Sequence, residues 1–205
     1  MSKPKDGQSP FDQRVKILKS LSPEEIARNA KVLWEKEDLE KGIFRVPVLS
    51  SEIIVSYPQI EISAPQWLSG FSISLLALIY LSRANGTPPS GKWVAFRELP
   101  GGRFYEPVVS RSAEEPLANT FGANPKDILK TATLYGGTEE SFGDVSVSFN
   151  LFPLVRICFV LWQKTEEFSS KCTVLFDSSA HHHLGTFDLR IGAEFISSLL
   201  RKPTS

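Results

Sequence analysis

The sequence lacks a net charge. Its 205 residues contain 23 lysines and arginines against 23 aspartates and glutamates. Proteins that bind nucleic acid or an anionic membrane surface ordinarily carry a basic excess, because positive charge supplies most of the attraction to phosphate. The balanced composition therefore predicts neither a nucleic acid nor a membrane as a partner.

The sequence also lacks an apolar run long enough to span a bilayer. Its most apolar stretch, Trp67 to Leu81, is interrupted by serines and a glycine and falls short of the roughly 20 residues that a transmembrane helix needs. The first ten residues are polar, without the apolar core of a secretory signal. We therefore expect a cytoplasmic protein with a disordered tail at residues 1–10 and a single domain at residues 11–205.

Cysteine is scarce, with Cys158 and Cys172 as the only two. A hairpin centred near Thr165 would place them roughly opposite each other on two strands, so a disulfide is conceivable. Cysteines of a cytoplasmic chain are more often small buried apolar residues, which is the interpretation we favour. The Cys-x-x-Cys spacing of redox and iron–sulfur sites is absent, and so is the Gly-x-Ser-x-Gly elbow of hydrolases.

The hydrophobic pattern changes between helical and strand periodicity along the chain. It predicts helices over residues 11–30 in two pieces, 66–83, 112–121, 125–134 and 187–200. It predicts strands over residues 43–49, 52–57, 145–150, 154–162 and 171–176. Because strands and helices come in runs and do not strictly alternate, we expect an α+β fold with a mostly antiparallel sheet packed with helices.

Local signals sharpen some of these predictions. Ser22, Pro23 and Glu25 form a capping-box pattern that starts the second helix at Pro23. The charged run from Glu35 to Lys41 is typical of a solvated turn or a short helix. Valine and phenylalanine that alternate with serine over residues 145–150 predict a half-exposed strand.

The stretch after the last predicted strand is the first candidate site. Asp177 and Ser178 form a turn that leads into His181, His182 and His183, so polar groups appear where a buried strand reaches the surface. The pair could serve as a carboxylate beside a nucleophile. An Asp-Ser pair after a strand more often satisfies backbone donors as a helix cap or an Asx turn, and we favour that interpretation.

The histidines raise a metal hypothesis, because imidazole is a common ligand of transition metals. On a strand His181 and His183 would share a face, and Asp177, a cysteine or a distant carboxylate would have to complete the site. The spacings of zinc fingers and of the His-Glu-x-x-His motif are absent. We therefore favour solvated histidines on a surface turn.

A second candidate site combines a short strand, a tight Pro-Gly-Gly turn and an aromatic cluster that includes Tyr105. On a strand, Arg97 and Glu98 would point to opposite faces. Arg97 could hold a carboxylate or a phosphate bidentately, helped by the amides of Gly101 and Gly102. A structural ion pair that anchors the turn explains the arginine equally well. The glycines match neither a phosphate loop nor a dinucleotide fingerprint.

The two candidate sites also carry a family resemblance. The Phe-Arg-Glu-Leu-Pro-Gly-Gly segment within residues 90–102 and the Leu-Phe-Asp-Ser-Ser-Ala segment at residues 175–180 resemble a bacterial and archaeal family catalogued as a domain of unknown function. The resemblance covers nearly the whole chain after the first ten or so residues. It implies a role in anaerobic metabolism, since some members look joined to an iron–sulfur domain or associated with corrinoid chemistry, but it implies no activity.

Taken together, these patterns predict a non-catalytic accessory or ligand-binding module of anaerobic metabolism, with an iron–sulfur or corrinoid protein as the candidate partner. Any iron–sulfur cluster would belong to that partner, because the chain lacks cysteine clusters. The residues specify no cofactor. One shared pocket is expected to contain Arg97, Glu98, Gly101, Gly102, Tyr105, Asp177 and Ser178.

Two other classes of function stay open at this point. One is an enzyme, either metal-dependent through Asp177, His181 and His183 or a hydrolase with Glu98 as its base. The other is a structural interaction protein, which would present an exposed apolar patch in place of a pocket.

Overall fold

The computed structural model of the protein describes residues 9–38 and 41–202. Within them, the helices are α1 (Pro10–Leu18), α2 (Pro23–Ala30), α3 (Phe71–Arg83), α4 (Glu106–Val109), α5 (Glu115–Phe121), α6 (Asp127–Leu134) and α7 (Thr186–Leu200). The strands are β1 (Leu33–Lys36), β2 (Gly42–Val48), β3 (Ser51–Tyr57), β4 (Ile62–Ser63), β5 (Trp93–Ala95), β6 (Thr138–Glu140), β7 (Val145–Phe152), β8 (Val155–Trp162) and β9 (Lys171–Asp177). No helix in this part of the chain is long and apolar enough to cross a membrane.

The strands form two antiparallel sheets. The smaller has the order β1-β2-β3-β4 and the larger the order β5-β9-β8-β7-β6. The Leu49 amide donates to the Asn150 carbonyl at 3.1 Å and so connects the end of β2 to β7. One continuous hydrophobic core contains side chains from both sheets and from the helices. The predicted α+β fold, built as a single domain on antiparallel strands, is confirmed.

Capping residues set the first two helices. The Ser22 hydroxyl accepts from the Glu25 amide at 3.4 Å and α2 begins at Pro23, as predicted. Helix α1 begins at Pro10, because Ser9 and Asp12 form a capping box of their own. The disordered tail predicted for residues 1–10 therefore does not include Ser9 or Pro10, and its residues 1–8 lie outside the described part of the chain.

The charged run from Glu35 contains a strand, so the turn or short helix predicted there is wrong for its first residues. Strand β1 pairs with β2 up to Lys36. Arg45 on β2 explains the pairing, because its guanidinium binds the Glu35 carboxylate at 2.6 Å and the Glu52 carboxylate on β3 at 2.6 Å. The ion pairs cross the sheet, and this cross-strand arrangement is not visible in a local charge pattern.

Helix α3 lies in the core and carries a buried hydroxyl group, that of Tyr80, which contacts two other elements. The predicted start near Gln66 is a separate 3-10 turn, and α3 itself begins at Phe71 after the extended Gly70. The buried Tyr80 hydroxyl donates to the Ala30 carbonyl at 2.6 Å and accepts from the Leu154 amide at 3.2 Å. One side chain thus connects α3 to the end of α2 and to the β7–β8 turn.

Strand β7 is buried on both faces, so the half-exposed strand predicted there is wrong. Ser146 and Ser148 are buried together with the apolar residues between which they lie. The Ser146 hydroxyl accepts from the Phe142 amide at 2.9 Å, and the Ser148 hydroxyl donates to Glu140 at 2.7 Å. Serine is tolerated in this core because each hydroxyl has a partner within the sheet.

The β8–β9 hairpin places the two cysteines apart. Cys158 lies opposite Leu175, and Cys172 lies opposite Leu161. The predicted hairpin centre near Thr165 is therefore wrong by a shift in register, which puts the two thiols on opposite faces of the sheet because side chains alternate along a strand. Both cysteines are free and buried, which confirms the interpretation as small core residues.

The helix predicted over residues 112–121 begins earlier and is irregular. Helix α4 starts at Glu106, continues through a π-helical segment, Ser110–Glu114, and ends as α5. Pro116 lies in the first turn of α5. Proline has no amide to donate to the preceding turn, and a local change of helix type is one way to accommodate it.

Candidate functional site

The Asp177 carboxylate lies at the end of β9 and is fully buried. Its Oδ1 accepts from the amide and hydroxyl of Ser90, each at 2.9 Å, and from the amide and hydroxyl of Ser179 at 2.9 and 2.6 Å. Its Oδ2 accepts from the Gly91 amide at 2.7 Å. Burial by itself raises the pKa of Asp177, but these hydrogen bonds outweigh it and hold the pKa below its ordinary value. The carboxylate therefore anchors the loop before β5 to the end of β9.

His183 forms a second contact with the loop before β5. Its Nε2 lies 3.0 Å from the Thr87 carbonyl, so this nitrogen carries the hydrogen, and its buried Nδ1 has no partner among the described residues. The ring is fully buried, so the interpretation as solvated histidines is wrong for His183. Burial lowers the pKa of His183, against the effect of the bond to Thr87.

The other histidines are closer to solvent. His181 Nδ1 lies 2.8 Å from the Ser178 carbonyl, and its ring centroid is 4.1 Å from that of the exposed His182. Within residues 9–38 and 41–202, no three histidine, cysteine, aspartate or glutamate side chains are grouped so that they could hold a metal ion. The loop-anchoring contacts thus account for both carboxylate oxygens of Asp177 and for Nε2 of His183, but not for the buried Nδ1 of His183.

The lowered pKa of His183 predicts that the protein loses stability as the pH falls. Because its folded pKa lies below the ordinary value of 6.5, the unfolded chain takes up a proton that the folded chain does not. The free energy of unfolding is therefore unaffected above pH 6.5 and falls as pH decreases from there toward the lowered pKa. We expect His183→Gln to remove this slope in urea unfolding measured from about pH 7 to about pH 5.

The exposed His182 provides the matched control for this experiment. His182→Gln removes a neighbouring imidazole without touching the loop contact and should keep the slope. An equal slope in wild type and in His183→Gln would contradict the assignment.

The second candidate site is a turn and not a strand. Strand β5 ends at Ala95, and Phe96–Glu98 forms a 3-10 turn, so the prediction that Arg97 and Glu98 lie on opposite faces of a strand is wrong. The physical reason is local, because Glu98 Oε2 accepts from the Ala95 amide at 2.7 Å and closes the turn. This leaves the Arg97 side chain 63% exposed, with its Nη1 3.8 Å from the Glu106 carboxylate.

The glycine pair fixes the shape of this turn. Gly101 has a φ of +73°, in the left-handed region that favours glycine. A Cβ on Gly102 would overlap the carbonyl oxygen of Phe96, and the Gly102 amide donates to the Leu99 carbonyl at 2.8 Å. The Gly102 amide is therefore engaged within the turn.

A cavity of about 170 Å³ opens beside Arg97. It forms where β5 ends, because β5 pairs only with Leu175–Asp177 of β9, and the α4–π-helix segment lies across the gap. Its lining residues are Ala95, Phe96, Arg97, Glu106, Val109, Glu114, Lys171, Thr173 and Val174. Phe96 and Val109 are buried apolar residues of this lining, which also contains two basic and two acidic side chains.

Glu114 is a half-buried carboxyl group of this cavity with a raised pKa. Its Oε1 accepts from the Val174 amide on β9 at 2.9 Å. Burial raises the pKa of Glu114, and the nearby Glu106 acts in the same direction, whereas the Val174 amide and the charge of Lys171 act against it. A carboxyl group with a perturbed pKa in a cleft is a common feature of functional sites.

The predicted shared pocket is only partly brought together. Arg97 lines the cavity, but Glu98, Gly101, Gly102, Tyr105, Asp177 and Ser178 are not among its lining residues. Sequence reasoning missed Glu106, Glu114 and Lys171, which approach one another only through tertiary packing. The one available signal was Pro116 inside a predicted helix, which points to an irregular turn next to Glu114.

Four exposed aromatic side chains are together called the aromatic surface: Phe71, Phe104, Tyr105 and Phe187. Phe104 is 86% exposed. The rings of Tyr105 and Phe187 meet edge to face at 5.7 Å, and Phe187 and Phe71 line one groove between α1, α3 and α7. The molecule therefore has an apolar surface in addition to the charged cavity.

The fold and the site define a small α+β domain with a charge-lined cavity at the edge of its larger sheet. The chain belongs to the family described as a domain of unknown function (DUF3786), whose model matches residues 22–198. No curated protein and no solved structure matches the chain. Membership agrees with the resemblance found in the sequence, and it assigns no activity.

Proposed function

We propose that the chain is a cytoplasmic, non-catalytic accessory module of anaerobic metabolism that binds a small charged ligand beside Arg97. The observation that carries this proposal is the cavity at the end of β5, which Arg97 and Lys171 line together with Glu106, Glu114 and apolar residues. Concave sites with an apolar base and a few convergent polar groups are the usual form of small-molecule sites.

The accessory part of the proposal rests on other features. The family resemblance implies company with an iron–sulfur or corrinoid protein. Burial raises the pKa of Cys158 to about 12 and also raises that of Cys172, so neither thiol is suited to bind a cluster, and the partner would carry the redox group. Two free cysteines fit a reducing compartment. The aromatic surface offers a contact area for a partner, since exposed apolar patches often mark such sites.

The proposal predicts what accompanies the protein when it is purified without oxygen from its native host. We expect mass spectrometry to recover a small charged molecule in near-stoichiometric amount, and elemental analysis to find iron or cobalt in a co-eluting second chain. Arg97→Ala should lower the occupancy of the small molecule by a factor of about ten or more, since a charge-assisted bond contributes roughly 1.5–3 kcal/mol.

The control is Arg103→Ala, which removes an exposed arginine of the same turn that does not line the cavity. It should retain the ligand. Equal loss of the ligand from both variants would show that general charge, and not the cavity, holds it. A protein free of any small molecule and of any iron- or cobalt-containing chain would contradict the proposal.

A further inference from the structure

The cavity beside Arg97 contains a hydrogen-bond donor and a hydrogen-bond acceptor that have no partner among the described residues. The Arg97 side chain makes no hydrogen bond within residues 9–38 and 41–202, and its one ion pair there, with Glu106, is stretched to 3.8 Å. Glu114 uses Oε1 for the Val174 amide, whereas its Oε2 has no hydrogen-bond partner in the same part of the chain. The cavity thus presents a free guanidinium donor and a free carboxylate acceptor.

The mixture of charges selects against ligands of a single sign. A phosphate or a dicarboxylate would meet Arg97 favourably, but it would bring negative charge next to Glu106 and Glu114. A diamine would meet the two glutamates favourably, but it would bring positive charge next to Arg97 and Lys171. Like charges in a partly desolvated site repel strongly, so a ligand that carries one charge of each sign fits the lining best.

The size of the cavity further restricts which ligands can bind. Its volume of about 170 Å³ would hold about six water molecules at roughly 30 Å³ each, well below the roughly 300–1,000 Å³ of sites for drug-sized molecules. Nucleotides and corrinoids are therefore too large. Ala95, Phe96, Val109 and Val174 make part of the lining apolar, which suits a short aliphatic group.

We infer that the ligand is a small α-amino acid, bound with its carboxylate on Arg97 and its ammonium on the free oxygen of Glu114. Arginine binds carboxylates bidentately, and an ionised Glu114 would pair with the ammonium group. Burial raises the pKa of Glu114 and so disfavours its charged form, and an ammonium group beside it would act in the opposite direction and favour the carboxylate. This inference rests on the ligand site given under the proposed function.

Three matched probes test the inference by isothermal titration calorimetry on the full chain after extensive dialysis. Alanine carries both charges, propionate lacks the ammonium group, and ethylamine lacks the carboxylate. We expect alanine to bind at least tenfold more tightly than either. Glu114→Gln should abolish the preference for alanine over propionate, and Arg97→Ala the preference over ethylamine. Glutamine retains the oxygen that accepts from Val174, so Glu114→Gln should fold, which circular dichroism checks.

Glu115→Gln is the matched control, because Glu115 is the exposed neighbour of Glu114 and does not line the cavity. It should keep the preference for alanine. Propionate or ethylamine that binds as tightly as alanine would overturn the inference but leave a ligand site beside Arg97. Failure of alanine to bind would also overturn it, and the proposed function would fail as well only if the natively purified protein contained neither a small molecule nor an iron- or cobalt-containing partner.

Discussion

Asp177→Ala is expected to lower the free energy of unfolding by about 2–4 kcal/mol. The substitution removes a fully buried acceptor and leaves the amides of Ser90, Gly91 and Ser179 without their partner. Loss of the acceptor costs roughly 1–3 kcal/mol for the amide of the buried Ser179, and less for the amides of the exposed Ser90 and Gly91, because water can replace the carboxylate there. Urea unfolding at neutral pH measures the loss, and the melting temperature should fall by roughly 10 °C.

Ser178→Ala is the control for this substitution. Ser178 is adjacent to Asp177, but its hydroxyl makes one contact, at 2.8 Å to the Ser90 hydroxyl, at an exposed position. Its loss should cost about 0.5 kcal/mol or less. If Asp177→Ala were no more destabilising than Ser178→Ala, the anchoring role of the carboxylate would be refuted.

Acid should weaken the same anchor. The folded pKa of Asp177 lies below the ordinary value of 3.8, so its stabilising contribution is fully present above that pH. The contribution is lost as pH falls from there through the lower folded pKa. Asp177→Ala should therefore be less sensitive than wild type to acid in this range.

Tyr80→Phe is expected to cost about 2–3 kcal/mol although only one oxygen atom is removed. The ring stacks on Phe152 at a centroid distance of 4.6 Å, and phenylalanine would preserve this packing. The lost hydroxyl leaves the Ala30 carbonyl and the Leu154 amide unpaired. Urea unfolding gives the energy, and hydrogen exchange should show faster exchange of the Leu154 amide.

Tyr57→Phe provides the comparison for Tyr80→Phe. Its hydroxyl also donates to a backbone carbonyl, that of Leu21, but at 3.3 Å and in a half-buried position. Water can replace that partner, so we expect a cost of about 0.5 kcal/mol. Equal stabilities of the two variants would mean that the buried hydroxyl of Tyr80 does not hold α2 and the β7–β8 turn to α3.

The features predictable from sequence were those determined by neighbours along the chain. The start of α2 at Pro23 with Ser22 as its N-cap and the continuous apolar run of β8 each have a local cause, and both predictions are confirmed. The reciprocal bond from the Glu25 side chain, which would complete the capping box, is absent from the described part of the chain. The hairpin register of β8 and β9 was not predictable in the same way. The polar residues 163–170 between the strands do not specify which residue turns first.

The candidate site likewise contains one residue that was predictable from its neighbours along the chain and one that was not. Asp177 was found because a carboxylate after a buried strand is conspicuous, and the favoured interpretation, satisfaction of backbone donors, agrees with its contacts to Ser90 and Gly91. Glu114 was not found, because a glutamate within a helical stretch resembles any solvated residue. Its contact with Val174 joins positions 60 residues apart, and only the folded chain brings them together.

The short length of β5 has a consequence for how copies of the protein behave in concentrated solution. Beyond Ala95, no strand of the described residues pairs with β9 on that side, and an unpaired strand edge is a place where a second molecule can add as an extra strand. The π-helical segment packs against β9 instead, and its Glu114 occupies the Val174 amide at this edge. The carboxylate that lines the cavity is therefore expected also to oppose self-association through this edge.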